Sequence, residues 1–172
     1  MKKRIENKLL LGIRISIWVM ITGLVLSGLS AFPLQTETDW LISHSHALPE
    51  TMYTWLQIIH TAIVNTNRDY PYLCYGTDWL AFAHLMLAIL FFGPLKKPVE
   101  NVWVIQFGMI ACACIIPLAF IAGSIREIPV FWRIIDCSFG VIGIVPLIIS
   151  YRNIARLKHI REYAFIHTPN GR

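Results

Sequence analysis

Apolar positions along this chain come in long blocks, broken by short polar stretches, with neither strand alternation nor a coiled-coil repeat. Residues 9–32, 76–93, 102–125 and 130–151 are the four blocks. Each is near the ~20 residues that a helix needs to cross hydrocarbon. Gly76, Thr77 and Asp78 read as the start of the second block and Gly93–Pro94 as its stop. Pro117 reads as a kink inside the third. The first block is longer than the ~7–15 apolar residues of a signal-peptide core and reads as a retained anchor, although Gly28-Leu29-Ser30 offers small residues for cleavage. Gly23 and Ser27, four apart, predict a face on which a neighbouring helix can come close.

The connection over residues 33–75 has a different pattern. Residues 36–44 predict a short helix and residues 49–65 a longer amphipathic one. In the second, Met52, Leu56, Ile59 and Ile63 form an apolar face opposite Thr54, Gln57, Thr61 and Asn65. Such a helix is too polar to span and fits the membrane interface or a lid over the bundle. Asn65 to Pro71 is read as its breaker. Residues 152–166 predict a basic amphipathic helix carrying Arg152, Arg156, Lys158 and Arg161. The expected fold is all-α: a polytopic membrane protein in one domain, with four transmembrane helices in an up-down bundle and an amphipathic helical cap in the first extracytoplasmic loop.

Composition agrees. The chain is 56% hydrophobic, against ~45–50% for soluble domains, with a mean hydropathy of +0.58. The net charge of +5 matters less than its placement. If both termini share a side, that side holds Lys2, Lys3, Arg4, Lys8, Arg14, Lys96, Lys97, Arg152, Arg156, Lys158, Arg161 and Arg172, and the other only Arg68, Arg126 and Arg133. The positive-inside rule then puts both termini in the cytoplasm, and the reading is of a bacterial inner-membrane protein. Trp40, Trp55, Trp79, Trp103 and Trp132 fall near helix ends, as in an aromatic belt. No basic run interleaved with aromatics points to nucleic acid. The expected partners are the bilayer, anionic lipid at the C-terminal basic helix, and other membrane subunits or a second copy.

Polar residues inside the apolar blocks are the candidates for chemistry, because lipid tolerates them poorly. His84 lies on a face with Ala81 and Ala88; Arg133 and Asp136, three apart on the fourth block, can pair. At ~1.5 Å per residue, His84 and Asp136 both lie ~9 Å below the outer surface. The expectation is an outer-leaflet cluster of His84, Arg133 and Asp136 that handles a proton or binds an anion or a quinone-like head group. His44, His46 and His60 in the loop offer a His-x-His metal site for copper or zinc. The sequence Thr38-Asp39-Trp40-Leu41 recurs as Thr77-Asp78-Trp79-Leu80, read as two helix starts at a membrane surface. The four cysteines form no C-x-x-C and read as small packing residues.

The first block, from Arg14-Ile15-Ser16-Ile17-Trp18 through Ser27-Gly28-Leu29, resembles the opening helix of cytochrome b561-type and hydrogenase-associated cytochrome b subunits. The resemblance covers that one helix, and the family's helix-borne histidine pairs are missing here. It implies b-haem binding, with His84 the one histidine inside a span and His60 or His44 the source of a second ligand. No phosphate loop, G-x-S-x-G or H-E-x-x-H motif is present, so no familiar enzyme signature stands out. The expected function is that of a non-catalytic accessory or interaction subunit. A b-haem or quinone redox subunit is the alternative, and a small proton-coupled carrier the third reading.

Overall fold

The computed structural model describes residues 2–45 and 47–167, which leaves His46 and Arg172 outside. Among the described residues every regular element is a helix: α1 (Lys2–Ala31), α2 (Leu34–His44), α3 (Glu50–Asp69), α4 (Pro71–Leu90), α5 (Phe92–Lys96), α6 (Val102–Ile125) and α7 (Val130–His167). Four stretches, Lys3–Ala31, Pro71–Lys96, Val102–Ile125 and Val130–Tyr163, are long and apolar enough to cross a membrane. Only 17–22% of the most apolar window in each is buried inside the protein. So much outward-facing apolar surface exceeds what water tolerates on a soluble protein, and suits lipid.

The chain forms two compact units, Met1–Thr22 with Ile89–Arg172, and Gly23–Ala88. In the first, α6 and α7 pack as a helical hairpin with almost no space between backbones. A Cβ on Gly140 would lie 2.6 Å from the Cys112 carbonyl oxygen, and one on Gly143 would lie 3.1 Å from Cys112 Sγ. Gly108 of α6 leaves room in the same way for Phe91 and Leu147. Ile13 and Ile17 of α1, Ile105 of α6, and Leu147, Ile154 and Leu157 of α7 are almost fully buried. On α7 these recur at intervals of seven and three, the stripe that a helix buries on one side. Asn153 of α7 reaches over Gly12 of α1, where a Cβ would come within 2.8 Å of Nδ2.

The turn between α6 and α7 is built by hydrogen bonds. Ile128 N donates to Gly123 O (2.9 Å) and Glu127 N to Ser124 O (3.3 Å), the Schellman pattern that absorbs the last carbonyls of a helix. It requires a left-handed residue just past the helix, normally glycine. Here that residue is Glu127, at φ 57°.

In the second unit, α2 and α3 are joined side by side. Asn67 Nδ2 donates to Gln35 Oε1 (2.7 Å), and His60 Nε2 donates to Asp39 Oδ1 (2.6 Å). As residue numbers rise along α2 they fall along α3, so the two helices run antiparallel. At Gly28 of α1 a Cβ would lie 2.9 Å from the Ala81 carbonyl of α4 and 3.1 Å from the Leu85 side chain.

Several boundaries differ from the sequence reading. α4 begins at Pro71, since proline suits the first helical position, where its missing N–H is not needed. Gly76 to Asp78 are therefore interior, and neither Thr-Asp-Trp-Leu stretch starts a helix. α3 continues to Asp69 through the expected breaker, with no proline or glycine before Pro71 to stop it. α7 is continuous from Val130 to His167, so the basic segment extends the fourth apolar helix, and both Pro117 and Pro146 are held within α-helix. The small residues that admit a neighbour on α1 are Gly12 and Gly28; nothing lies within 4 Å of a Cβ at Gly23. All four cysteines are free thiols.

Candidate functional site

A cleft of about 670 Å³ lies in the second unit, bounded by the turn after α1, by α2 and α3, and by the first turns of α4. Its shape depends on the two hydrogen bonds that hold α2 to α3, because Gln35, Asn67 and Asp39 are all lining residues. Both aspartates of the repeated Thr-Asp-Trp-Leu stretch, Asp39 and Asp78, line this cleft, and among the described residues no lysine, arginine or histidine does. Asp39 accepts from His60. Asp78 makes no hydrogen bond or ion pair among the described residues.

A second hollow of about 280 Å³ is lined by Phe32, Tyr75, Asp78, Trp79 and Phe82. Its α4 members are spaced i, i+3, i+4 and i+7, which places them on one helical face. Tyr75 and Trp79 meet edge to face at 5.9 Å between ring centroids, as do Trp79 and Phe82. This spacing is visible in the sequence. Reading Gly76, Thr77 and Asp78 as a helix start hides it.

The residues expected to carry chemistry are placed as follows. His84, half-buried, belongs to the second unit, with Nδ1 2.8 Å from Leu80 O. A carbonyl only accepts, so Nδ1 carries the proton of the neutral ring and Nε2 keeps its lone pair. Arg133 and Asp136 belong to the first unit, and the expected ion pair between them is not among its interactions. Arg133 instead crosses the α6–α7 turn: Nε donates to Ile128 O (2.6 Å) and Nη1 to Ser124 Oγ (2.8 Å). Its stem lies over Gly123, where a Cβ would come within 2.9–3.0 Å of Cγ, Cδ and Nε. A nearby backbone carbonyl in fixed geometry wins the guanidinium over the carboxylate three residues on. Asp136, half-buried on α7, has no hydrogen-bond or ion-pair partner among the described residues.

His44 stacks on Trp40 at 4.6 Å between ring centroids, with Nδ1 2.9 Å from both Trp40 O and Ser43 Oγ. His60 is held by Asp39, and His46 lies outside the described residues. Among the described residues, no three histidines, cysteines or carboxylates are grouped to hold a metal ion.

Together these features define a helical protein with four potential membrane crossings and, in its second unit, a cleft lined by two aspartates. Compared with protein-family models, with curated proteins and with solved structures, the chain matches none.

Proposed function

We propose that this is an integral membrane protein that works as a non-catalytic interaction subunit, and that its partner contacts α7 at Asp136. In this reading the four long helices cross the bilayer alternately, both termini face the cytoplasm, and α2 and α3 cap the bundle on the opposite side. The cation asymmetry supports the orientation, since only Arg68, Arg126 and Arg133 fall on the far side.

The carboxylate of Asp136, without a partner among the described residues, carries the interaction reading. It lies about 9 Å along α7, measured at 1.5 Å per residue from Val130. The neighbouring cation, Arg133, is committed to the turn. An ionisable group within a span normally finds a partner, because hydrocarbon solvates it poorly. A donor from another membrane helix would satisfy it. The exposed Phe139, three residues on and on the same side of α7, supplies apolar surface for that contact.

The test is a photo-crosslinking residue at Phe139 in native membranes. The expected result is a discrete adduct that disappears in Asp136→Ala and weakens in Asp136→Asn. An adduct indifferent to both substitutions, or no adduct with any protein, contradicts the reading.

A further inference from the structure

We propose that the cleft and the aromatic hollow beside it bind an ammonium-bearing ligand, with Asp78 as counter-ion and the rings of Tyr75, Trp79 and Phe32 as its wall. Three observations converge. First, Asp78 lines both cavities and has no partner among the described residues, whereas Asp39, its counterpart in the repeated stretch, is tied to His60. Second, among the described residues no lysine, arginine or histidine lines either cavity, so the carboxylate of Asp78 is left to set the sign of the site: an anion would be repelled and a cation drawn in.

Third, the rings around Asp78 are arranged for a cation. Tyr75, Trp79 and Phe82 meet edge to face, which uses one face at each contact, but Tyr75 and Trp79 are both more than half exposed, so much of each ring remains open. The negative ring face attracts ammonium groups, quaternary ones included. Aromatics at the end of a spanning helix can serve only as a belt, but a belt needs no carboxylate among its rings. Helix capping does not explain Asp78 either, because α4 begins at Pro71, two turns earlier. Nearly all the polar surface of the two cavities lies in the cleft of about 670 Å³, where Asp39 and Asp78 are, so the head group belongs there, and the apolar hollow of about 280 Å³ takes what is attached to it.

The same chemistry could come from a zwitterionic phospholipid head group or from a free amine in solution. The proposal does not depend on what meets Asp136. The test uses the purified full-length protein in nanodiscs of phosphatidylglycerol, titrated calorimetrically with choline, with ethanolamine, and with the neutral isostere in which a tert-butyl group replaces trimethylammonium. The ammonium compounds are expected to bind saturably, and the isostere at least tenfold more weakly. Asp78→Asn is expected to weaken choline at least tenfold, and Trp79→Leu severalfold, with circular dichroism unchanged. Equal binding of choline and its isostere to the unmodified protein overturns the proposal whether or not the variants fold, as does unaltered affinity in a folded Asp78→Asn.

Native mass spectrometry after reconstitution in mixed phosphatidylethanolamine and phosphatidylglycerol identifies the source. Enrichment of phosphatidylethanolamine that depends on Asp78 marks the lipid head group, and amine binding without enrichment marks a soluble amine. Absence of both overturns the proposal.

Discussion

Replacing Gly140 by alanine tests the α6–α7 packing most sharply. The new Cβ would lie 2.6 Å from the Cys112 carbonyl oxygen, 3.3 Å from Ile115 Cβ and 3.4 Å from Ile115 Cδ1. A carbon in ordinary contact sits about 3.5 Å or more from its neighbour, so the shortfall at the carbonyl is roughly 1 Å. The obstructing atom is backbone in the middle of a helix, and Ile115 closes the adjacent direction. Relief therefore requires α6 and α7 to part, and overpacking of this kind costs about 1–3 kcal/mol. Alanine also improves helix propensity by about 1 kcal/mol. Gly23→Ala gains the same propensity with nothing within 4 Å to meet, so it is the internal control. The difference between the two variants isolates the steric cost and is expected to be about 1–3 kcal/mol. Reversible unfolding in mixed micelles, followed by far-ultraviolet circular dichroism, measures both. Equal changes in the two variants, or a Gly140→Ala protein more stable than Gly23→Ala, would refute the packing described for the hairpin.

Three further outcomes follow from the connections between helices. Arg133→Met keeps a stem over Gly123 but strips the donors from Ile128 O and Ser124 Oγ, and is expected to destabilise the protein by about 1–3 kcal/mol in the same unfolding assay. Glu127→Gly removes the steric cost of a Cβ at φ 57° and is expected to stabilise by up to about 1 kcal/mol, again by unfolding; a loss would point to a role for the carboxylate itself. At the end of α3, Arg68 holds both oxygens of Asp69, at 2.8 and 3.0 Å, and its guanidinium pulls the Asp69 carboxyl below the ordinary carboxylate range. The pair's contribution is thus complete above the unfolded carboxylate value of ~3.9 and is lost as the pH falls through the lowered one. In Arg68→Gln, the Asp69 titration followed by carboxyl NMR is expected to move up. Neutral-pH stability should be unmoved, since both groups are exposed and screened.

The apolar blocks were legible in the sequence because length and hydropathy over a long window outweigh any local ambiguity. The ends of the helices were not. Pro71 starts α4 ahead of the Gly-Thr-Asp signal, and that shift moves Asp78 from a helix start to the middle of an aromatic face. The sequence contains the spacing of Tyr75, Asp78, Trp79 and Phe82, but the meaning of the spacing depends on where the helix begins. Arg133 was misread for a different reason. Its i+3 carboxylate is visible in the sequence, whereas the Ile128 carbonyl becomes an acceptor only once the turn has formed. That turn puts a glutamate where glycine is usual, so nothing in composition announces it. The histidines of the connecting segment were identifiable as polar candidates, yet their partners, Asp39 and Trp40, follow from the antiparallel seating of α3 on α2 and from the rotamer on α2.

The proposed course of the chain through the bilayer is open to direct test. With the native cysteines replaced, single cysteines at Lys3, Asn67 and Lys97 can be probed in intact cells with a membrane-impermeant maleimide. Labelling is expected at position 67 alone, with positions 3 and 97 becoming reactive only after the membrane is opened. Labelling of 67 and 97 together, or of 3 without 67, would contradict the four-crossing arrangement and the orientation derived from it.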